Sequence, residues 1–196
     1  MSIRNSSVRW GAVSQLLHWL IALLILTQIA LGITMKVFLH PGPTFLAIIG
    51  VHKSIGVTIL ALVVIRLLWR LMNPVPKLPN TLEPYEQTLA RLTHAALYVI
   101  LLAMPLSGWI GSAAGGHPVK WFNLFTLPML VGKNRSLSGV MGDTHEALAI
   151  GLGLILVLHI AAALRHHFVL QDDTLRRMLP MGRPGTVAEL TGRQKA

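Results

Sequence analysis

Cysteine is absent from this chain of 196 residues, and charged residues make up only 12% of it. The lack of cysteine excludes disulfides, iron–sulfur clusters and any cofactor attached covalently through paired thiols. Soluble domains carry about 25% charged residues, whereas this chain is 53% hydrophobic with a mean hydropathy of +0.62. The composition therefore argues against a soluble domain and is typical of a membrane protein.

Acidic residues are also scarce: 7 Asp and Glu stand against 17 Lys and Arg, for a formal net charge of +10. A basic chain suggests either a nucleic-acid-binding surface or the Lys- and Arg-rich cytoplasmic loops of a membrane protein. The sequence shows no soluble basic domain that would present such a surface. We therefore expect membrane lipid, and no nucleic acid, among its partners.

Four long apolar stretches predict the fold. Each comes close to the roughly 20 residues that a helix needs to cross a bilayer. The predicted helices cover residues 13–37, 52–72, 92–114 and 145–168. We expect an all-α, integral membrane four-helix bundle that forms a single domain over residues 1–196, with a polar cytoplasmic tail over residues 169–196.

Lys and Arg are distributed unevenly between the two sides of these spans. Twelve fall on the side of both termini and five on the opposite side. Because Lys- and Arg-rich segments stay in the cytoplasm, both termini are predicted to be cytoplasmic. The outer segment 115–143 contains Trp and Phe residues at 120–125, which predict an amphipathic element at the membrane interface.

Histidines inside the spans are the candidate functional residues. His145 and His159 are fourteen residues apart, which is close to four helical turns, so both project from one face at depths about 21 Å apart. The predicted topology places His52 at the depth of His145, near the outer face, and His18 at the depth of His159. The sequence therefore predicts two histidine pairs at two membrane depths.

Paired histidines at two depths indicate two stacked haem groups. A six-coordinate haem iron takes two axial ligands, and the neutral imidazole is a common one. Because cysteine is absent, each group is predicted to be a non-covalent haem b, held by ligation and packing alone. With both axial positions filled, such a haem carries electrons. The alternative is that each histidine hydrogen-bonds a neighbouring helix.

Three further residues have the spacing of cofactor contacts. Gly32, fourteen residues after His18, faces the outer level, and Gly56 lies one turn after His52. Both leave clearance for a porphyrin, although ordinary close helix packing accounts for them equally well. Arg66, fourteen residues after His52, is aimed at the inner level. There it either pairs with a haem propionate or a quinone carbonyl, or extends to the interface as an anchor.

The remaining histidines have several interpretations. His94 lies near the start of the third span and either contacts a quinone or a propionate or packs between helices. His40 and His117 fall in predicted loops and are expected to be solvated. His166 and His167 are expected in the headgroup region, with a direct role left open.

Several short segments, taken in order, resemble the bacterial four-helix cytochrome b561 family. The segments are 16–19 (LLHW), 52–56 (HKSIG), 66–70 (RLLWR), 92–94 (LTH), 105–109 (PLSGW), 121–122 (WF), 127–128 (LP), 145–146 (HE) and 158–168. No segment is decisive alone, but the ordered set is specific and spans nearly the whole chain. The resemblance implies a bacterial inner-membrane protein with two b haems, one ligated by His18 and His159 and the other by His52 and His145.

The family includes members that resemble a superoxide oxidase, which takes an electron from superoxide at the outer face and reduces ubiquinone. Carried over to this chain, Lys53 and Lys133 would help draw the anion toward the outer haem, and His94 is a candidate proton donor to the quinol. We therefore expect an oxidoreductase that passes electrons from an outer-face donor, with superoxide as the specific candidate, to ubiquinone. Two alternatives stay open: a haem b subunit that docks a periplasmic dehydrogenase or cytochrome, and a haem-free membrane transporter.

Overall fold

The structure, a computed structural model, describes residues 2–76 and 82–180 and is mostly helical. Its four long helices are α1 (Ala12–Ile33), α2 (Pro43–Leu71), α3 (Pro84–Ala114) and α4 (Arg135–Phe168). A π-helical turn, Thr34–Phe38, continues α1. All four helices are long and apolar enough to cross a membrane. The predicted all-α class with four membrane-spanning helices is confirmed, whereas the cytoplasmic position of the termini stays a prediction.

Three of the helices begin earlier than the apolar stretches indicate. α2 begins at Pro43 and α3 at Pro84, and proline suits this position because its missing N–H would have no helical partner there. α4 begins at Arg135, after Asn134, whose Oδ1 accepts the N–H of Leu137 at 3.0 Å and caps the helix. Hydropathy marks the part of a helix that lies in hydrocarbon, so it misses the polar first turns of α3 and α4.

The predicted interfacial element between α3 and α4 is a short β-hairpin. Strand β1 (Lys120–Trp121) pairs antiparallel with strand β2 (Phe125–Thr126). In the turn, Phe122 and Asn123 have positive φ angles of 45° and 58°, a conformation that non-glycine residues seldom adopt. Ser54 of α2 holds this turn, because its Oγ accepts the N–H of Phe122 at 2.9 Å and donates to the first carbonyl of β1 at 3.1 Å. The aromatic residues predicted at the interface therefore lie on a hairpin fixed to α2.

Two compact units divide the chain, and each takes a part of all four helices. The first unit comprises the described parts of residues 1–19, 66–97 and 153–196, and the second comprises residues 20–65 and 98–152. The predicted site residues in the first unit are His18, His94, His159 and Arg66. Those in the second unit are His52, His145, Lys53, Lys133, Gly32 and Gly56. The two predicted histidine pairs therefore belong to different units.

Large apolar side chains remain exposed along the helices. Between 64% and 68% of the side-chain surface is exposed in each of four residues on three helices, Leu16, Val99, Leu154 and Val157. Exposed apolar surface of this extent is unfavourable in water and is covered by lipid in a membrane-spanning helix. The helix surfaces thus agree with the membrane placement that the composition predicts.

Candidate cofactor sites

Two pairs of imidazole rings face each other, one pair in each unit. In the second unit, the ring centroids of His52 and His145 are 6.1 Å apart, with the planes inclined by 71°. In the first unit, those of His18 and His159 are 6.3 Å apart, inclined by 72°. All four side chains are half-buried. The structure thus brings together the same partners that depth along the spans predicts, while their ligation of a metal stays a prediction.

The separation within each pair fits one metal atom between the two rings. With a metal–nitrogen bond of about 2 Å and about 1.1 Å from ring nitrogen to ring centre, two imidazoles on opposite sides of a metal would have centroids about 6.2 Å apart. Within residues 2–76 and 82–180, no group of three or more His, Cys, Asp or Glu side chains is arranged to hold a metal ion. A two-histidine site therefore suits iron in a porphyrin, whose own nitrogens supply the remaining ligands.

Helix α3 fixes the orientation of the His145 ring. Its Nδ1 donates a hydrogen bond of 2.9 Å to the carbonyl of Met104, and Ser107 Oγ lies 3.3 Å from the same nitrogen. A Cβ atom at Gly108 would lie 3.1 Å from two atoms of the ring, so glycine allows this close approach. Because Nδ1 carries the proton, Nε2 is the nitrogen left to bind a metal, which is the usual arrangement around ligating histidines.

The sequence did not predict the contacts of Ser107 and Gly108 with the His145 ring. Ser107 and Gly108 form a pair of small residues within an apolar span, a pattern that marks close helix contact in membranes. They also lie in the PLSGW segment that resembles the family. The signal was therefore present, but the sequence does not say which side chain the small residues accommodate.

His52 is surrounded less completely than His145. Gln28 of α1 donates from Nε2 to the His52 carbonyl at 2.9 Å. The His52 Nδ1 atom is buried and has no hydrogen-bond partner among the described residues. Buried polar atoms are almost always paired in folded proteins, so this nitrogen marks a position that a group other than the protein would complete. The orphaned atom agrees with a cofactor beside His52.

The two predicted clearance glycines differ in their surroundings. A Cβ atom at Gly32 would meet nothing within 4 Å, whereas one at Gly56 would lie 3.3 Å from Gln28 Nε2. The space beside Gly32 is therefore open to a large group. The space beside Gly56 is taken by the side chain that binds the His52 carbonyl, so Gly56 serves close packing of α1 and α2.

The two predicted lysines lie in the second unit in different environments. Lys53 is half-buried, close enough to His52 to interact electrostatically, and donates to Ser112 Oγ at 2.7 Å. Lys133 is exposed, and its alkyl chain lies over Gly116, which has a positive φ of 78°. Lys133 also lines a cavity of about 560 Å³ together with Arg135. Only Lys53 is therefore placed directly beside a histidine pair.

A third imidazole accompanies the pair in the first unit. The ring of His94 lies 5.5 Å from that of His159, inclined by 80°. His94 donates from Nδ1 to the carbonyl of Ala90 at 2.7 Å, so its Nε2 carries no proton in the neutral ring. This nitrogen can accept a proton or a hydrogen bond beside the His18–His159 pair.

Arg66 adds a permanent positive charge to the same cluster. It is half-buried, donates to the carbonyl of Ser14 at 3.2 Å, and interacts electrostatically with His18, His94 and His159. The structure therefore places Arg66 with the His18–His159 pair, the pair toward which its spacing aims it. Whether it contacts a propionate or a quinone stays a prediction. We call these four residues the His18 cluster: His18, His94, His159 and Arg66.

The last turn of α4 holds a contact that the sequence did not reveal. His166 donates from Nδ1 to Asp172 Oδ2 at 2.6 Å, and both side chains are largely buried. Burial alone would raise the pKa of Asp172, but hydrogen bonds from Thr174 and His166 outweigh it and hold that pKa below its ordinary value. The neighbouring His167 packs against Phe168, with ring centroids 4.8 Å apart. His166 is therefore engaged in a defined ion pair, in contrast to the exposed His40 and His117.

The profile of the family described as prokaryotic cytochrome b561 matches residues 9–181. Cytochrome b561 homolog 2 of Escherichia coli (strain K12) is 35% identical over 91% of this chain and 95% of its own. The probable superoxide oxidase CybB of Yersinia pestis is 31% identical over 85% of this chain and 93% of its own. Cytochrome b561 homolog 1 of Escherichia coli (strain K12) is 28% identical over 88% of this chain and 97% of its own.

These matches, together with the four spans, establish what kind of protein this is. The family profile and two relatives above 30% identity cover most of the chain. Family membership implies binding of haem b and electron transport, and it disfavours the haem-free transporter. The protein belongs to the prokaryotic cytochrome b561 family and is a multi-pass b-type cytochrome of the bacterial inner membrane.

Proposed function

We propose that the protein is a dihaem oxidoreductase that carries electrons from a donor at the outer face of the membrane to ubiquinone. The observation that carries this proposal is the presence of two facing imidazole pairs, with centroids 6.1 and 6.3 Å apart. His52 and His145 would hold one haem b, and His18 and His159 the other. When bound, haem supplies reversible one-electron chemistry at iron. Two histidines holding each haem would leave no ligand position free for oxygen, which favours electron transfer over ligand activation.

Superoxide is the proposed electron donor. The cationic residues of the second unit include Lys53 beside His52 and the pair Lys133 and Arg135 around one cavity. Positive charges near a site raise the local concentration of a small anion and its association rate. The name of the relative from Yersinia pestis, a probable superoxide oxidase, supports the same donor.

Ubiquinone is the proposed acceptor, and the His18 cluster offers the groups that its reduction requires. Two superoxide anions give up one electron each and leave as two molecules of oxygen. The quinone takes both electrons and two protons to become the quinol. His94 Nε2 is positioned to exchange a proton, and Arg66 is able to donate a hydrogen bond to a carbonyl oxygen. A proton carrier and a fixed cation are thus present together in the first unit.

The test is quinone reduction by superoxide with the purified protein in lipid nanodiscs. An enzymatic superoxide generator supplies the donor, and added superoxide dismutase should abolish the quinol signal. Lys53→Gln should slow the reaction several-fold at low ionic strength, with the difference shrinking as salt screens the charge. Lys36→Gln is the matched control, because Lys36 is exposed and already ion-paired with Glu146. Quinol formation that is absent, or unaffected by dismutase, would rule out superoxide as the donor.

A second candidate function is an electron-transfer subunit that docks a periplasmic dehydrogenase or cytochrome. It is favoured by the β-hairpin, which exposes three large apolar side chains, Phe122, Leu124 and Phe125. In this case the haems would be present and reducible by dithionite, but superoxide would not reduce quinone through the isolated protein. The same nanodisc assay therefore separates the two functions.

A further inference from the structure

The segment that follows α4 forms a defined connection in the first unit. Of the predicted tail, residues 181–196 lie outside the described residues, whereas residues 169–180 are described and end in a short 3₁₀ turn, Arg176–Met178, and two further residues. We call residues 169–180 the clasp. Its contacts join it to α4 at one end and to α1 at the other.

The beginning of the clasp is tied back to α4. Asp172 binds the His166 side chain through Oδ2 at 2.6 Å, and its own N–H donates to the His166 carbonyl at 3.1 Å. The second carboxylate oxygen of Asp172 accepts the N–H of Thr174 at 2.8 Å. Exposed fractions of only 13% and 10% for the His166 and Asp172 side chains protect this ion pair from solvent. One residue thus fixes where the chain turns away from α4.

The end of the clasp is tied to α1 and the residues before it through clasp backbone carbonyls. Gln15 donates from Nε2 to the carbonyl of residue 177 at 3.1 Å, and the Trp19 indole N–H donates to that of residue 178 at 2.9 Å. Arg9 donates to the carbonyls of residues 179 and 180 at 3.3 and 3.2 Å. Four consecutive carbonyls are therefore bound by three side chains.

These contacts join the two helices that carry one histidine pair. His159 lies on α4, two turns before His166, and His18 lies on α1, next to Trp19. The Trp19 ring packs edge-on against the His18 ring, with centroids 5.1 Å apart. The indole is thus held between the clasp carbonyl and the His18 ring, so its position depends on the clasp.

We propose that Trp19 is a positioning residue for His18, and that the clasp holds Trp19 in place and sets the orientation of the His18 ring toward His159. The inference rests on the proposed ligation of one haem by His18 and His159. Its physical basis is that the relative orientation of two axial imidazoles is set by the groups packed against them, and ligand orientation in turn tunes a metal centre. The His52–His145 pair is oriented by other groups and is unaffected.

The variant Trp19→Phe tests this directly, because it keeps an aromatic ring beside His18 while the indole N–H, together with the five-membered ring that carries it, is lost. Trp109→Phe is the matched control: the Trp109 indole also donates to a backbone carbonyl, that of Pro128 at 3.2 Å, but it lies in the second unit. A second variant, Asp172→Ala, releases the clasp from α4 without touching α1. Both clasp variants should affect the same haem.

The readouts are electron paramagnetic resonance of the two low-spin ferric haems and a redox titration that resolves their midpoint potentials. His18→Ala first identifies which signal belongs to the His18–His159 haem. Trp19→Phe and Asp172→Ala should shift the g values and midpoint potential of that signal alone, and Trp109→Phe should leave it unchanged.

The outcomes separate the clasp from the proposed haem ligation. If His18→Ala leaves both haem signals intact, the ligation itself is wrong. If His18→Ala removes one signal but Trp19→Phe and Asp172→Ala leave that signal and its potential as in the wild type, the clasp proposal is overturned while the ligation stands. Equal shifts of both haems in the clasp variants would also contradict it, since that pattern indicates a general loosening of the protein.

Discussion

The His52–His145 pair and the His18–His159 pair have almost equal ring separations, 6.1 and 6.3 Å, yet their surroundings differ. The first of these pairs is oriented mainly by the backbone: the Met104 carbonyl fixes the His145 tautomer, and Gly108 admits its ring. One cation, Lys53, lies beside it. This site would hold a haem between its two imidazoles and offers little further chemistry.

The His18–His159 pair is accompanied by groups that bind or move charge. A third imidazole, His94, lies 5.5 Å from the His159 ring, and Arg66 interacts with all three histidines. In the proposed assignment, each haem is held by its histidine pair alone, so neither His94 nor Arg66 is needed as a ligand. The additional titratable and cationic groups indicate where electron transfer is coupled to protons or to a polar acceptor.

The largest expected effect distinguishes a histidine of a facing pair, His145, from the third imidazole, His94. His145→Ala should lower the haem content of the purified protein from about two to about one per chain, because one axial ligand is lost. His94→Ala should keep both haems, since His94 is the third imidazole and not a member of a pair. Haem quantification by pyridine haemochrome checks both. Loss of haem in His94→Ala but not in His145→Ala would reverse the assignment of roles.

The next effect tests whether α3 shapes only the site in the second unit. Gly108→Val would drive its side chain into the His145 ring, so the haem of that pair should be lost or show altered spectra. Gly139→Val is the control, since a Cβ atom there meets nothing within 4 Å and helix propensity changes equally. Absorption spectra with haem quantification give the result. An equal response of the two variants would mean that valine acts through the helix and not through His145.

Charge removal should produce a smaller, site-selective effect. Because a nearby positive charge favours the reduced haem, Arg66→Gln should lower the midpoint potential of the His18–His159 haem by tens of millivolts. Lys53→Gln should lower the midpoint potential of the His52–His145 haem. Redox titration of the two variants side by side measures this, and a common shift of both haems in either variant would show that the two sites are not electrostatically separate.

The smallest expected effect concerns the Asp172 ion pair. The pKa of Asp172 lies below its ordinary value, so the carboxylate stabilises the folded protein above that ordinary value and loses this contribution as the pH falls through the lowered one. Asp172→Asn should therefore unfold at a lower temperature than the wild type at neutral pH, with the two unfolding temperatures converging as the pH falls through the lowered pKa of Asp172. Asp143→Asn, at an exposed position, is the control. If the difference in unfolding temperature between Asp172→Asn and the wild type stays constant with pH, the variant acts through lost packing and not through lost charge.

The sequence predicted the features that helical geometry alone determines. The spacing of His145 and His159 on one helix requires them to share a face, and span depth then selects His52 and His18 as partners. Features that depend on contacts between distant segments were not predictable: the approach of Gly108 to His145, the fixing of the hairpin turn by Ser54, and the His166–Asp172 pair. The polar first turns of α3 and α4 were also not predicted, because hydropathy does not mark helix beyond the hydrocarbon region.

The central claim is that each histidine pair holds one haem. The most direct measurement is a combined haem quantification and redox titration of the wild-type protein in lipid. The account predicts about two b haems per chain with two separately resolved low-spin signals, of which His18→Ala removes one and His52→Ala the other. A single haem per chain, or loss of the same signal in both variants, would contradict it.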